Sequence, residues 1–162
     1  MNKVAEVAMS YLHQKEIPGN MGFTDKEFER KMKEVGFNKG YAWCALFGEL
    51  CVKEGAPQFY MEHEKLFSAS AVTTYNNFKA QGMVSSTPEI GWLAVWKHGN
   101  GPTGHLGVVV GTKGTGLFQT AEGNSNEDGS REGVEVAYKA DRKLNQPFKP
   151  KGLNLLGFVK IV

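Results

Sequence analysis

Three things are scarce in this 162-residue chain: cysteine, long apolar runs and an excess of charge of one sign. There are two cysteines, Cys44 and Cys51, too few for a disulfide framework. Placed on one helix with this spacing, their α-carbons stand about 10 Å apart at a rise of 1.5 Å per residue, beyond the roughly 7 Å that a disulfide spans. Both therefore read as free thiols. No stretch reaches the roughly 18 to 20 apolar residues of a membrane-spanning helix. The opening "MNKVAEVAMSYLHQKE" also lacks the apolar run of a secretory signal. These absences predict a soluble protein without membrane insertion, which other factors must deliver to any target outside the cytoplasm. The net charge is only +2, with acidic and basic residues mixed along the chain and no basic run. That permits attraction to a polyanionic surface without indicating nucleic acid. With no linker, repeat or low-complexity tract, residues 1–162 read as a single domain.

What is present divides the chain in two. The first half has helical periodicity. Val4, Val7, Ala8, Tyr11 and Leu12 share one face of a first helix, which "IPGNMG" ends. "TDKEFERKMKEVG" opens on a capping-box pattern, Thr24 with Glu27, and stops at Gly36, with Phe28, Met32 and Val35 as its buried stripe. A third helix is expected from about Ala42 to Glu54 and another from about Ser70 to Gln81; "APQFYMEHEKLF" between them is ambiguous. After Pro88 the texture changes to short β-rich runs, "WLAVW", "HLGVVVG", "GLFQTAEG", "GVEVAYK" and "LLGFVKIV", separated by glycine-rich turns. Helices followed by a meander of about five antiparallel strands make an α+β fold.

The chemistry centres on "GYAWCALFGELC". Cys44 falls in the first turn of the third helix, where free N–H groups and the helix dipole stabilise a thiolate. The competing reading is a small buried residue, the usual fate of a free cysteine. Cys51, two turns on, has nothing to polarise it and reads as core. A thiolate nucleophile needs a base and a group to orient that base. His13, on a charged helix, and His63, in "MEHEK", read as surface residues, and His98 as a residue of a glycine-rich turn. His105 opens the strand "HLGVVVG", where a rigid element can hold an imidazole. The next strand ends in "AEGN", so Glu122 or Asn124 can stand beside His105 and fix its tautomer. Ordinary backbone bonding of the histidine and hairpin-turn chemistry are the alternatives.

These segments, "YAWCALFGELCVKEG", "GWLAVW", "GHLGVVVG" and "AEGNSN", resemble the cysteine, histidine-dependent amidohydrolase/peptidase (CHAP) domains of the papain-like NlpC/P60 superfamily. The resemblance covers about residues 40 to 125. It implies a papain-like fold and a peptidoglycan hydrolase: an N-acetylmuramoyl-L-alanine amidase or an endopeptidase of the wall peptides, of the kind phage lysins carry, with the bacterial cell wall as its partner and a monomeric state. By resemblance, Cys44 is the nucleophile, His105 the general base and acid, and Glu122 the orienting group, with Asn124 assisting or replacing it. The oxyanion then falls to the backbone N–H of Cys44 and a polar side chain upstream, Asn38 or Tyr41. Trp43, Trp92 and Trp96 are candidate walls of a substrate groove, together with Tyr41 and Phe118. Two departures stand out. Trp92 occupies the position of the family's usual Asp in its "GD" strand motif, and "GFNKGYAWC" lacks the acidic run that binds calcium in some members. A non-catalytic wall-binding module, or a papain-like enzyme acting on a protein substrate, remain open alternatives.

No cofactor is expected. Asn124 to Glu135 nearly fits a calcium-loop pattern through Asn126, Asp128, Gly129 and Glu135, but its first position is Asn and its flanks read as strands. Cys44, Cys51, His98 and His105 could in principle bind zinc, although their spacing on one helix is not that of a zinc knuckle.

Overall fold

In a computed structural model, which describes residues 2–125 and 133–162, each early helix starts where a short polar side chain accepts its free N–H groups. Helix α1 (Lys3–Ser10) starts at Asn2, whose side chain accepts from the N–H groups of Val4 and Ala5. It is shorter than its periodicity suggests, because Tyr11 leaves the helical conformation. Helix α2 (Lys26–Glu34) is capped by Asp25, not by Thr24 as the capping-box pattern predicts: the Asp25 carboxylate accepts from Glu27 N–H at 2.9 Å and Phe28 N–H at 3.0 Å. A full negative charge at a helix N-terminus also gains from the dipole, which the threonine hydroxyl does not offer. Thr24 instead donates to the carbonyl of Lys15. Phe28, Met32 and Val35 are buried, as their spacing predicts.

Helix α3 (Cys44–Gly55) is the central one; every residue from Cys44 to Val52 is buried. The ambiguous stretch forms α4 (Pro57–His63), continued by a single 3-10 turn, Glu64–Leu66. Pro57 suits the first turn, where its missing N–H has no intrahelical partner to lose. Helix α5 (Ala71–Ala80) is capped by Ser70, which accepts from Thr73 N–H.

Six antiparallel strands follow: β1 (Val84–Ser85), β2 (Leu93–His98), β3 (Gly104–Thr112), β4 (Leu117–Ser125), β5 (Glu135–Lys143) and β6 (Leu153–Val159). Their spatial order is β1-β6-β2-β3-β4-β5. Strands β2 to β5 form the expected meander. Strand β6 crosses back to pair with the other side of β2, and the two residues of β1 pair with its end. The strand beyond the expected five is β1, too short to carry an alternation in sequence. The architecture is α+β, with helices preceding the sheet, and is consistent with a papain-like fold.

Helix α3 lies unusually close to β4, and glycine makes this possible. A Cβ at Gly123 would sit 2.7 Å from the Cβ of Phe47 and 2.8 Å from the Trp43 ring. Glu122, the preceding residue, points to the opposite face of the strand. There Gly107 provides the room, since a Cβ at that position would lie 2.6 Å from Glu122 Cγ. Two glycines on neighbouring strands thus admit the helix on one face and a carboxylate on the other. Gly123→Ala is expected to destabilise the fold by about 1–3 kcal/mol through overpacking, measured by urea denaturation; a change below about half a kcal/mol would show that the helix is not held at this distance.

Candidate active site

Cys44 is the first residue of α3, and Trp43, before it, supplies no side-chain cap. The helix therefore begins with unpartnered N–H groups at the cysteine. The thiol lies within the field of the His105 imidazole, and the N–H groups of Ala45 and Leu106 also favour its anion. His105 is the second residue of β3, directly across from Trp96 of β2. Its Nε2 lies 2.7 Å from Glu122 Oε2 on β4. That ring nitrogen being occupied by the carboxylate, Nδ1 is left for the thiol.

Glu122 is entirely buried, yet both its oxygens are saturated. Oε1 accepts from Thr120 Oγ1 at 2.5 Å and from Arg142 Nε at 2.7 Å; Oε2 accepts from His105 and from the Arg142 terminal nitrogen at 2.5 Å. The Arg142 guanidinium also lies over the Trp96 ring, 4.7 Å from its centre. Trp96 in turn stacks on Phe118 and tilts against His105. The imidazole, the carboxylate and the guanidinium are thus backed by two aromatic rings.

The electrostatics follow from these contacts. Burial alone would push the Cys44 thiol up, but the positive charge of His105, their hydrogen bond and the two backbone N–H groups outweigh it, so its pKa falls below the ordinary thiol value. Burial by itself would also lower His105; the negative charges of Glu122 and Cys44 and the hydrogen bonds to both carry it up to about 10. For Glu122, burial opposes ionisation, and His105 and Arg142 overcome it, holding the carboxyl well below the usual range. The arrangement favours a thiolate–imidazolium pair with an ionised glutamate behind it. Cys51 differs in every respect: it is fully buried, and burial together with the nearby Glu54 charge pushes its thiol well up.

A cleft of about 600 Å³ opens over the sulfur, lined by residues that include Cys44, His98, His105, Asn124, Lys139 and Arg142. Asn124 takes a left-handed backbone conformation, φ 51°, and lines the cleft, while Glu122 makes the imidazole contact. His98 ends β2 and lines the same cleft. His63 stacks on Phe59 and bonds its carbonyl, away from the site. Of the oxyanion candidates, Asn38 bonds the carbonyl of Gly36 and Tyr41 is 45% exposed; neither lines the cleft.

None of the candidate groove tryptophans lines the cleft either. Trp43 is fully buried, donates its indole N–H to Glu16 and packs edge-on to Phe23 and Phe47. Trp92 belongs to the hydrophobic core. Trp96 lies under the catalytic candidates, and Phe118 beneath it is fully buried. Their size and apolar surface are spent on the core, the commoner fate of such rings. Sequence reasoning missed Arg142 and Thr120. Arg142 sits in "AYKADRK", where nothing separates it from its basic neighbours; only the strand pairing brings it to Glu122.

Of the calcium-loop pattern, Asn126, Asp128 and Gly129 lie outside the described residues. Among the described residues, no group of three or more His, Cys, Asp or Glu side chains gathers in a way that could hold a metal ion. Cys51, one of the four residues considered for zinc, faces the core. Among the described residues, no helix is long and apolar enough to cross a membrane.

Comparison with protein-family models matches residues 36–124, more than half of the chain, to the CHAP domain. The chain belongs to the CHAP-domain family. No curated protein and no solved structure matches it. CHAP domains as a family are amidases and peptidases acting on peptidoglycan, and the matched span contains Cys44, His105, Glu122 and Asn124 while ending before Arg142.

The two thiols of this CHAP domain should separate cleanly. Iodoacetamide is expected to alkylate Cys44 well below pH 8 and to leave Cys51 unmodified in the folded protein, read by peptide mass spectrometry. Equal labelling of both would contradict the environment described here.

Proposed function

We propose that this CHAP domain cleaves an amide or peptide bond of peptidoglycan by thiol catalysis, with Cys44 as nucleophile, His105 as acid and base, and Glu122 as the group that orients His105. The observation that carries the reading is the contact chain from Cys44 through His105 to Glu122 beneath an open cleft. A non-catalytic binding module has no need of a thiol depressed by a neighbouring imidazolium.

The steps follow from the geometry. The Cys44 thiolate attacks the carbonyl carbon and forms a C–S bond, moving the carbonyl electron pair onto oxygen. The free N–H groups at the start of α3, that of Cys44 included, are suited to receive this oxyanion. On collapse the C–N bond breaks, and His105 gives its proton to the leaving amine. A water then attacks the thioester while His105 takes its proton. Release of the carboxylic acid restores the thiolate–imidazolium pair. Glu122 holds the ring throughout and stabilises its charged form. Asn124, at the rim, is placed to contact the substrate.

The deciding experiment is digestion of purified peptidoglycan by wild type, Cys44→Ala and Cys51→Ala, with mass spectrometry of the soluble products. Wild type and Cys51→Ala are expected to release fragments and Cys44→Ala none above background. New amino termini on the stem peptides would identify an amidase, and new termini within the peptides an endopeptidase. A Cys44→Ala protein as active as wild type would end the proposal. Glu122→Gln should retain the fold and lose at least about tenfold in rate.

The pH profile should be bell-shaped. Activity rises from acid as the depressed Cys44 thiol ionises, and falls as pH passes the raised pKa of His105 and the proton needed by the leaving group is lost. Because the two groups are coupled, the limbs belong to the pair. A profile that instead begins to rise only near pH 8–9, as for an ordinary thiol, would rule out the ion pair.

A further inference from the structure

Beyond the three residues of the thiol mechanism, a fourth charged side chain shares their buried environment. Arg142 reaches from β5 to both oxygens of Glu122, at 2.7 and 2.5 Å. Its guanidinium is fixed a second time by the Trp96 ring at 4.7 Å, and its side chain is only 25% exposed. A two-pronged bond in a shielded place is the geometry in which arginine acts as more than a surface charge.

We propose that Arg142 is a positioning residue of this enzyme: it locks the carboxylate that orients His105 and balances the buried charge of the catalytic set. The inference rests on the thiol reading given above and extends it to a residue outside the span matched to the CHAP domain.

The charge of the buried group decides the role of Arg142 at each step. In the resting state Cys44 is negative, His105 positive and Glu122 negative. Without Arg142 this buried group carries one uncompensated negative charge, and a buried unpaired charge is strongly unfavourable. With Arg142 the four sum to zero. After acylation Cys44 is a neutral thioester and His105 has given up its proton, leaving Glu122 and Arg142, again a neutral pair. The guanidinium therefore lets Glu122 stay ionised while the proton on His105 comes and goes. It also stops the carboxylate from turning away, because Thr120 and Arg142 hold the oxygen that His105 does not use.

Removing Arg142 acts on Cys44 in one direction by either route. If Glu122 stays ionised, the site loses a positive charge and a thiolate is harder to form. If Glu122 takes up a proton or turns away, His105 loses its partner, its own positive charge weakens, and the thiolate again loses support.

The test is the pH dependence of Cys44 alkylation by iodoacetamide in wild type, Arg142→Gln and Arg142→Lys, with peptidoglycan digestion run in parallel. Arg142→Gln is expected to move the alkylation midpoint upward by about half a unit or more, and so to lower the thiolate fraction about threefold at a pH below the midpoint. Arg142→Lys keeps the charge but not the fork. It should give a smaller shift together with slower wall digestion. A residue that only supports the fold would lower melting temperature or yield without moving the midpoint. An Arg142→Gln midpoint that coincides with wild type overturns the proposal. Should Arg142→Gln fail to fold, an Arg142→Lys protein equal to wild type in both midpoint and digestion rate overturns it as well. Because alkylation needs no substrate, the outcomes separate. A shifted midpoint in a protein that does not digest walls refutes the hydrolase reading and keeps the role of Arg142, whereas digestion with an unshifted midpoint does the reverse.

Discussion

The close approach of α3 to the sheet is the constraint on which the cleft depends. Cys44 is the first residue of that helix, and His105 and Glu122 stand on two strands that cross beneath it. A nucleophile on one layer and a base on another meet only if the layers are held within a hydrogen bond of each other. Gly123 removes the side chain that would hold the helix off, and Phe47 and Trp43 fill the space against it. Trp43 is tied further by its indole bond to Glu16, which fixes the residue immediately before the cysteine. The aromatic cluster of Phe23, Phe28, Trp43 and Phe47 is thus more than core filling. It anchors the start of α3, where Cys44 sits.

The second requirement is electrostatic. A carboxylate with no exposure to water is unfavourable unless its lone pairs and charge are met. Glu122 meets this with His105 on one side and Arg142 and Thr120 on the other. The same contacts set the state of the thiol. Through His105, the negative charge of Glu122 raises the imidazole, and the raised imidazole lowers Cys44. Position and ionisation are not separate properties here, because one set of hydrogen bonds supplies both.

Much of this was legible in the chain. The periodicities located four of the five α-helices of the described residues to within a few residues, α4 falling in the stretch that read as ambiguous, and the β-rich runs located five of the six strands. The distinction between Cys44 and Cys51 also followed from sequence, since it rests on which end of a helix each occupies. What sequence could not supply was the register of strands paired through bulges or the outcome of competition for the core. Arg142 lies 20 positions beyond Glu122 and reaches it only because β4 and β5 pair through register shifts. The cap of α2 moved from Thr24 to Asp25 because two adjacent residues can both cap, and a charged acceptor wins. The tryptophans are groove candidates in sequence, with core packing the commoner alternative, because a ring's size gives no indication of which face of a strand or which side of a helix it will meet.

The burial of those tryptophans bears on how substrate is held. With Trp43, Trp92 and Trp96 committed to the core and to the support of His105 and Arg142, no tryptophan forms a wall of the cleft over Cys44. The lining that remains mixes apolar surface with polar side chains, His98, Asn124, Ser125 and Lys139 among them. Polar groups of this kind select by hydrogen bonds and charge rather than by stacking on a ring. At a thiol site of this kind, a displacement of about 1 Å in the bound group is enough to lower a rate about a hundredfold. The geometry that fixes the thiol and the polar lining of the cleft must therefore be set by the same strands. In this fold they are, since His98 ends β2, His105 opens β3, Asn124 and Ser125 end β4, and Lys139 and Arg142 lie on β5.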